Sequence, residues 1–292
     1  MSKIMTIPSS KESINNLINV SDAFLIGIEN MSVNLPIYFK INEIKEIISY
    51  LNGNNKEVFV ALNKNMHNKD LTYLKEVMLM LNDYDIKGIF YYDIAVVNIY
   101  KKLDLKYDLV WAQEHLSTNY HTCNYWYNFG AKFTLIAREI TLDEIAEIKE
   151  NTKSKLIVPI FGHLTMFVSK RNLVKNYLDY FNLKDNSNIN YIEKENNIYP
   201  IIDDNNGTNV YSANILNGLE ESLMLRNLNI DYLLLNSFNI NEDSFNKIVS
   251  FFYNVNEENK KEYSNNIGKL LDKPIDKGFL YKETVYKVKN NG

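Results

Sequence analysis

Only one cysteine occurs in the 292 residues, so no intrachain disulfide can form and a reducing compartment is expected. An excess of basic charge is missing too: 32 Lys and Arg stand against 36 Asp and Glu, a formal net charge of −4. A free-standing nucleic-acid binder normally shows a basic face, and this balance argues against one while leaving open an RNA delivered by a partner. The first residues, MSKIMTIPSS, lack the apolar run of a signal peptide. No stretch reaches the ~20 apolar residues of a membrane span, so no membrane partner is expected and a cytoplasmic location is the default. H-E-x-x-H, paired C-x-x-C and G-x-S-x-G elements are all absent, which removes the common zinc and serine-hydrolase signatures. Asn, Ile, Lys and Tyr are abundant in the manner of an AT-rich genome, and Asn-rich loops are given no functional meaning on that ground.

Short β-rich apolar runs alternate with stretches of helical period. KIMTIP, AFLIGIE, KEVFVALNK, IKGIFYYD, YDLVWAQEH, AKFTLIARE, KLIVPIFGH and IDYLLLNSF are each followed by an amphipathic segment, giving eight strand–helix units. Strands apolar on both faces and alternating with helices imply a parallel sheet. Eight units over roughly 250 residues imply an α/β fold of the (β/α)8 TIM-barrel type. An open doubly wound sheet is the alternative, but no Gly-rich phosphate loop follows the first strand. The barrel is expected over residues 1–256, with an inserted β-hairpin at about 186–214, between units seven and eight. Residues 257–292 are expected to form a polar linker and a short C-terminal β appendage, FLYKETVYKV. Thr141 and Glu144 have the spacing of a helix capping box.

In such a barrel, reacting groups sit where the strands end and the βα loops begin. Those positions carry Glu29, Asn63, His67, Asp93, Gln113, His115, Asn119, Arg138, Glu139, His163 and Asn236, and His121 opens the fifth helix. All four histidines are therefore expected at one rim. Each residue also has a plain structural explanation: Asp93, Asn119 and Thr141 suit helix caps, and Arg138 with Glu139 suits a solvated ion pair. Cys123 is expected to pack inward from its helix rather than act as a nucleophile. A divalent metal held by His67, His115, His163 and a carboxylate stays open. After strand seven, Ser169, Lys170 and Arg171 are expected to open the seventh helix, where two cations and helix-end N–H groups would seat a carboxylate or phosphate. Asp203, Asp204 and Thr208 surround a turn at Gly207, either as turn formers or aimed back over the rim.

At VALNKNMHN, YYDIAV, QEHLSTNYHTCNYWYNFGAK, AREITLDEI, FGHLTMFVSKRNLVKNYL and YPIIDDNNGTNVYSA the sequence resembles the U32 peptidases, or collagenase-like proteases. It is most similar to the short, cysteine-poor, single-barrel bacterial members. Asn63, Asp93, Gln113, Asn119, Arg138, Glu139, Gly162, Ser169, Arg171, Asp204 and Thr208 match the family pattern. Two family cysteines, part of the set that holds an iron–sulfur cluster, are replaced by Thr165 and Asn172. A thiolate cluster needs about four such ligands, so no iron–sulfur cluster is expected in this chain. The resemblance implies three functions. One is a part in tRNA wobble-uridine hydroxylation that uses a prephenate-type carboxylate, with Arg138 and Arg171 binding carboxylates and a partner supplying tRNA affinity. Another is metal-assisted peptide hydrolysis, with Glu29, Glu139 or a histidine as general base. The last is a degenerate scaffold for a longer, cysteine-rich homologue. Hydroxylation or scaffolding is preferred to proteolysis.

Overall fold

Aliphatic runs with no polar face make the strands. β1 (Lys3–Ile7) is buried at every position after Lys3, and β2 (Ala23–Gly27) is buried throughout. The computed structural model describes residues 2–113, 115–184 and 187–282. Parallel pairing continues through β3 (Glu57–Leu62), β4 (Gly88–Tyr91), β5 (Asp108–Trp111), β6 (Ala131–Leu135) and the first half of β7 (Lys155–Ser169). The last barrel strand, β11 (Tyr232–Asn236), pairs in parallel with both β7 and β1, so the eight strands close into a barrel.

Helices α1 (Lys11–Leu17), α2 (Ile41–Gly53), α3 (Leu71–Leu81), α4 (Ile94–Leu103), α5 (Tyr120–Asn128), α6 (Leu142–Asn151), α8 (Glu221–Asn227) and α9 (Glu242–Asn254) surround it. The expected capping box starts α6: Glu144 Oε2 accepts from the Thr141 N–H at 2.7 Å, and Thr141 Oγ1 accepts from the Glu144 N–H at 3.3 Å.

Period-two alternation divides the apolar residues between two cores. Met5, Leu25, Phe59, Phe90, Val110, Phe133, Ile157 and Leu234 belong to the cluster that fills the barrel, while a larger cluster lies between strands and helices. The Phe59 ring meets Phe90, Phe133 and Tyr232 edge to face at 5.3–5.8 Å, the arrangement ring quadrupoles favour. Near the N-terminal ends of the strands, Glu57 accepts from Tyr232 Oη at 2.6 Å and pairs with Lys3 at 2.8 Å. Burial pushes the Glu57 carboxyl up, but hydrogen bonds from Lys3 and Tyr232 outweigh it and hold the group below the usual carboxylate range.

The seventh unit departs from the sequence expectation. β7 does not stop at Gly162 and His163 but runs on to Ser169. Gly162 has φ +117, and a Cβ there would lie 2.5 Å from the Asn236 carbonyl oxygen, so the strand can leave the barrel only at a glycine. Its outer half pairs antiparallel with β10 (Gly207–Asn217), which continues to β9 (Asn197–Asp204) and β8 (Asn190–Lys194). The β8–β9 turn places Glu195 and Asn196 at φ 52 and 63, the two positive angles of a type I′ hairpin. The insertion is therefore larger than a hairpin. It also includes α7 (Leu173–Phe181), expected as the barrel's seventh helix, whereas α8 is the helix between β10 and β11.

The tail differs as well. The expected polar linker contains α10 (Lys260–Leu270), followed by β12 (Ile275–Asp276), which pairs in parallel with β10. Within the expected appendage strand, residues 279–281 form a turn whose Leu280 carbonyl accepts from the Leu142 N–H at 3.1 Å, and residues 283–292 lie outside the described residues.

Candidate active site at the barrel mouth

Two connected spaces open at the C-terminal ends of the strands. The outer one is a cleft of about 960 Å³, lined by the loops after β2, β3 and β5, the outer half of β7 and the β9–β10 turn. Asn34, Asn63 and Tyr92 also line the inner one, a cavity of about 40 Å³ on top of the barrel's filling. Arg138, His163 and Asn236 border this inner cavity.

Polar side chains from the strand ends hold the walls in place. Asn63 is buried, accepts from the Val33 N–H at 3.0 Å and donates to the Val33 carbonyl at 3.1 Å, clamping the β2–α2 loop. Asp93 caps α4 through the Ala95 N–H at 2.9 Å and ties down the β3 loop through the Met66 N–H at 2.8 Å. Asn119 caps α5 through the Thr122 N–H at 3.0 Å. The β9–β10 turn reaches back over the rim. Asp204 accepts from Tyr38 Oη at 2.9 Å, and Asn206 Nδ2 donates to the Ser32 carbonyl at 3.0 Å.

The expected ring of residues is only partly assembled. Asn63, His67, Gln113 and His115 line the cleft, and Arg138 and His163 border the inner cavity. Glu29, Asp93, Asn119, Ser169, Arg171, Asp204 and Thr208 line neither. Nor do all four histidines line these spaces. His121 opens α5 as expected, exposed and with its ring 4.4 Å from that of Tyr120, and lines neither. His67 Nε2 lies 2.8 Å from Lys170 Nζ, and His115 Nδ1 lies 3.7 Å from Glu139. Among the described residues, no three His, Cys, Asp or Glu side chains form a group that could hold a metal ion.

Correction is also needed at the Ser169–Arg171 anion seat. α7 begins at Leu173, not at Ser169, and its first N–H groups are already taken. The Leu173 N–H donates to Thr208 Oγ1 at 2.8 Å and the Lys175 N–H to Asp203 at 2.9 Å. A carboxylate from the same chain fills the place an incoming anion would need. Ser169 Oγ accepts from the Arg171 N–H at 3.2 Å, and Arg138 donates to the Thr165 carbonyl at 3.0 Å.

His163 is 3 % exposed, and burial lowers its pKa to about 4, so the ring is neutral at physiological pH. Nδ1 lies 2.7 Å from the Ser212 carbonyl, which can only accept, so Nδ1 carries the proton and Nε2 is an acceptor. Nε2 has no hydrogen-bond partner among the described residues. Such a weak base suits orientation of a donor better than proton abstraction. Cys123 is fully buried, as expected, and burial raises its thiol to about 11, which leaves it unreactive. One inert thiol does not fit a thiolate-held cluster.

Several cleft residues escaped the sequence reading, notably Asn30, Asn34, Asn65, Asn205, Asn206, Lys64 and Phe167. Asn30 and Asn34 have φ 65 and 61, the left-handed region that asparagine tolerates best after glycine. Attributing the asparagines to genome composition discarded that positional signal. Phe167 falls past the expected end of strand seven at His163, yet β7 carries it on, exposed, outside the barrel.

In a closed parallel barrel, a polar cleft at the C-terminal ends of the strands is where binding and reacting groups gather. The family model for peptidase family U32 matches residues 10–290, and the chain belongs to that family. The chain is 29 % identical to the tRNA hydroxylation protein P2 of Bacillus subtilis, over 97 % of this chain and 99 % of that protein. It is 22 % identical to the tRNA hydroxylation protein P1 of the same organism, over 48 % of this chain and 33 % of that protein. It is 28 % identical to an uncharacterized protease of Methanocaldococcus jannaschii, over 54 % of this chain and 40 % of that protein. The solved structure of the U32 peptidase Mk0906 superposes with a TM-score of 0.54 at 13 % identity, covering 82 % of this chain and 95 % of that one, and supports the barrel fold.

Proposed function

We propose that the chain is a cytoplasmic component of tRNA wobble-uridine hydroxylation rather than a protease. The observation that carries this reading is the end-to-end match to tRNA hydroxylation protein P2, which leaves 1 % of that protein and 3 % of this chain uncovered. The local chemistry agrees. A cysteine or metal peptidase needs an activated thiol or a metal-bound water, whereas here the thiol is buried and no metal-holding group occurs among the described residues. Placing a hydroxyl on a uracil carbon is an oxidation, and a single cysteine cannot hold the thiolate cluster such chemistry would use. A longer, cysteine-rich homologue would supply the redox group and a share of the tRNA affinity. A prephenate-type carboxylate would be held at the mouth by Arg138, with His163 accepting from its hydroxyl.

Mass profiling of tRNA nucleosides tests the reading. Deletion of the gene is expected to abolish or sharply reduce hydroxylated wobble uridine. Wild type is expected to restore it, and Arg138→Ala to restore less than a tenth. An unchanged nucleoside profile after deletion removes the reading.

A further inference from the structure

The net charge of −4 is not evenly distributed, and the cleft is where it reverses. Its lining carries Lys64, Lys69 and Lys170 against the single carboxylate of Asp70. Asp70 lies 3.3 Å from Lys64 Nζ, and Lys170 Nζ lies 2.8 Å from His67 Nε2, which ties those two side chains together at the rim of the cleft. Lys69 is exposed. A concave, locally positive surface on an acidic protein draws in a polyanion and rejects an acidic protein surface.

Beside the lysines, the outer half of β7 presents Met166, Phe167 and Val168, 53 %, 49 % and 47 % exposed and all lining the cleft. A phenyl face next to cations is the pairing that holds unstacked bases: the ring takes the base and the ammonium groups take the phosphates on either side. The floor adds a third feature. The inner cavity is bordered by two buried acceptors without hydrogen-bond partners among the described residues, His163 Nε2 and Asn34 Oδ1. Both call for N–H or O–H donors; with His163 Nε2 taken by the carboxylate's hydroxyl, Asn34 Oδ1 is left for an N–H on the edge of an unpaired base, which is free of a pairing partner.

We propose that this cleft binds single-stranded RNA directly, with Lys69 and Lys170 on the phosphates and a base stacked on Phe167. The inference builds on the tRNA reading but places part of the RNA affinity on this chain instead of leaving all of it to a partner. A loop of tRNA is the natural occupant, because its bases are splayed outward and can leave the stack at little cost. The extension of β7 past the barrel then has a purpose: it carries the platform beyond the mouth, where an incoming strand meets it first.

Fluorescence anisotropy with a labelled anticodon stem-loop, using the full-length chain, tests this. The same stem closed into a continuous duplex serves as the control. The stem-loop is expected to bind at least about ten-fold more tightly than the duplex. Phe167→Ala is expected to weaken stem-loop binding about ten-fold or more, and Phe167→Trp to preserve it. Lys170→Ala should weaken binding and reduce the slope of log affinity against log salt by about 0.7, the signature of one lost single-strand phosphate contact. Circular dichroism checks that each variant is folded. Failure of the wild-type chain to bind, equal binding of the duplex, or binding unchanged in Phe167→Ala and Lys170→Ala would each overturn the proposal. So would a result in which Phe167→Ala abolishes capture of a homologous subunit but leaves RNA affinity intact. Stem-loop binding with the expected variant losses, alongside unchanged nucleosides in the deletion strain, would uphold the cleft as an RNA site while removing hydroxylation as its purpose.

Discussion

His163 shows how much a residue's role depends on burial that sequence alone does not specify. Its position after an apolar strand suggested a rim imidazole, yet the strand continues, the ring is covered, and the charged form is disfavoured. The pH consequence follows from the proton balance. In the unfolded chain the imidazole titrates near ~6.5, and in the folded chain burial lowers it to about 4. Between those values the unfolded state binds more protons, so acidification favours unfolding, and above the unfolded value the group contributes no pH dependence. The wild-type melting temperature is therefore expected to drop between pH 7 and pH 5, and His163→Gln should flatten much of that drop. The variant should also be about 1–3 kcal/mol less stable at pH 7, through loss of a packed ring and its bond to the Ser212 carbonyl. Equal pH slopes for the two proteins would show that other groups set the acid sensitivity. Asn63 and Asp93 are the counterpart: their positions at strand ends were legible, but their oxygens are committed to loop and cap hydrogen bonds, a choice only the folded loops reveal.

Among the elements, the barrel was legible because each strand is apolar on both faces and each helix on one, a pattern that survives without knowledge of any contact. The insertion was not. Gly162 and His163 read as the end of the strand, but the apolar run LTMFV resumes directly after them and pairs with β10, more than forty residues further on, so the continuation of β7 has no signature within its own sequence. LVKNYLDYF has a helical period whichever sheet it packs against, so α7 could not be assigned to the insertion from its sequence. It buries none of its residues fully, and only Val174 and Leu178 are half-buried. Its start depends on Asp203 and Thr208, some thirty residues later in the chain. Asp203→Ala is expected to cost about 1 kcal/mol, the usual value of a lost N-terminal cap. The loss should appear as faster amide exchange across α7, with the barrel strands unchanged. Exchange rising equally in β1 and β11 would mean that the insertion and the barrel unfold as one unit.

At the scale of the whole molecule, the chain is a barrel carrying an arm, and the two have different surfaces. The barrel encloses two apolar cores between its strands and helices, and its exposed apolar side chains, such as Ile94, Leu116 and Tyr125, belong to different helices and loops. The arm leaves Tyr177, Tyr180, Phe181, Tyr191 and Ile198 between 53 % and 79 % exposed. Clustered apolar exposure of this kind is uncommon on proteins that act alone. Under the hydroxylation reading proposed above, in which a longer homologue supplies the redox group, this surface is where that homologue would dock. Tagged wild-type protein is accordingly expected to co-purify with a longer, cysteine-rich member of the same family from its own cells. The double substitution Tyr180→Glu and Phe181→Glu should reduce that recovery at least about ten-fold, because each charge would have to be stripped of water at an apolar contact. Both residues are on the exposed side of α7, so the melting temperature should change little. Recovery of a clean monomer from the wild type, or of the homologue undiminished from the variant, would leave the arm's apolar surface to another purpose and the redox step without a source in this assembly.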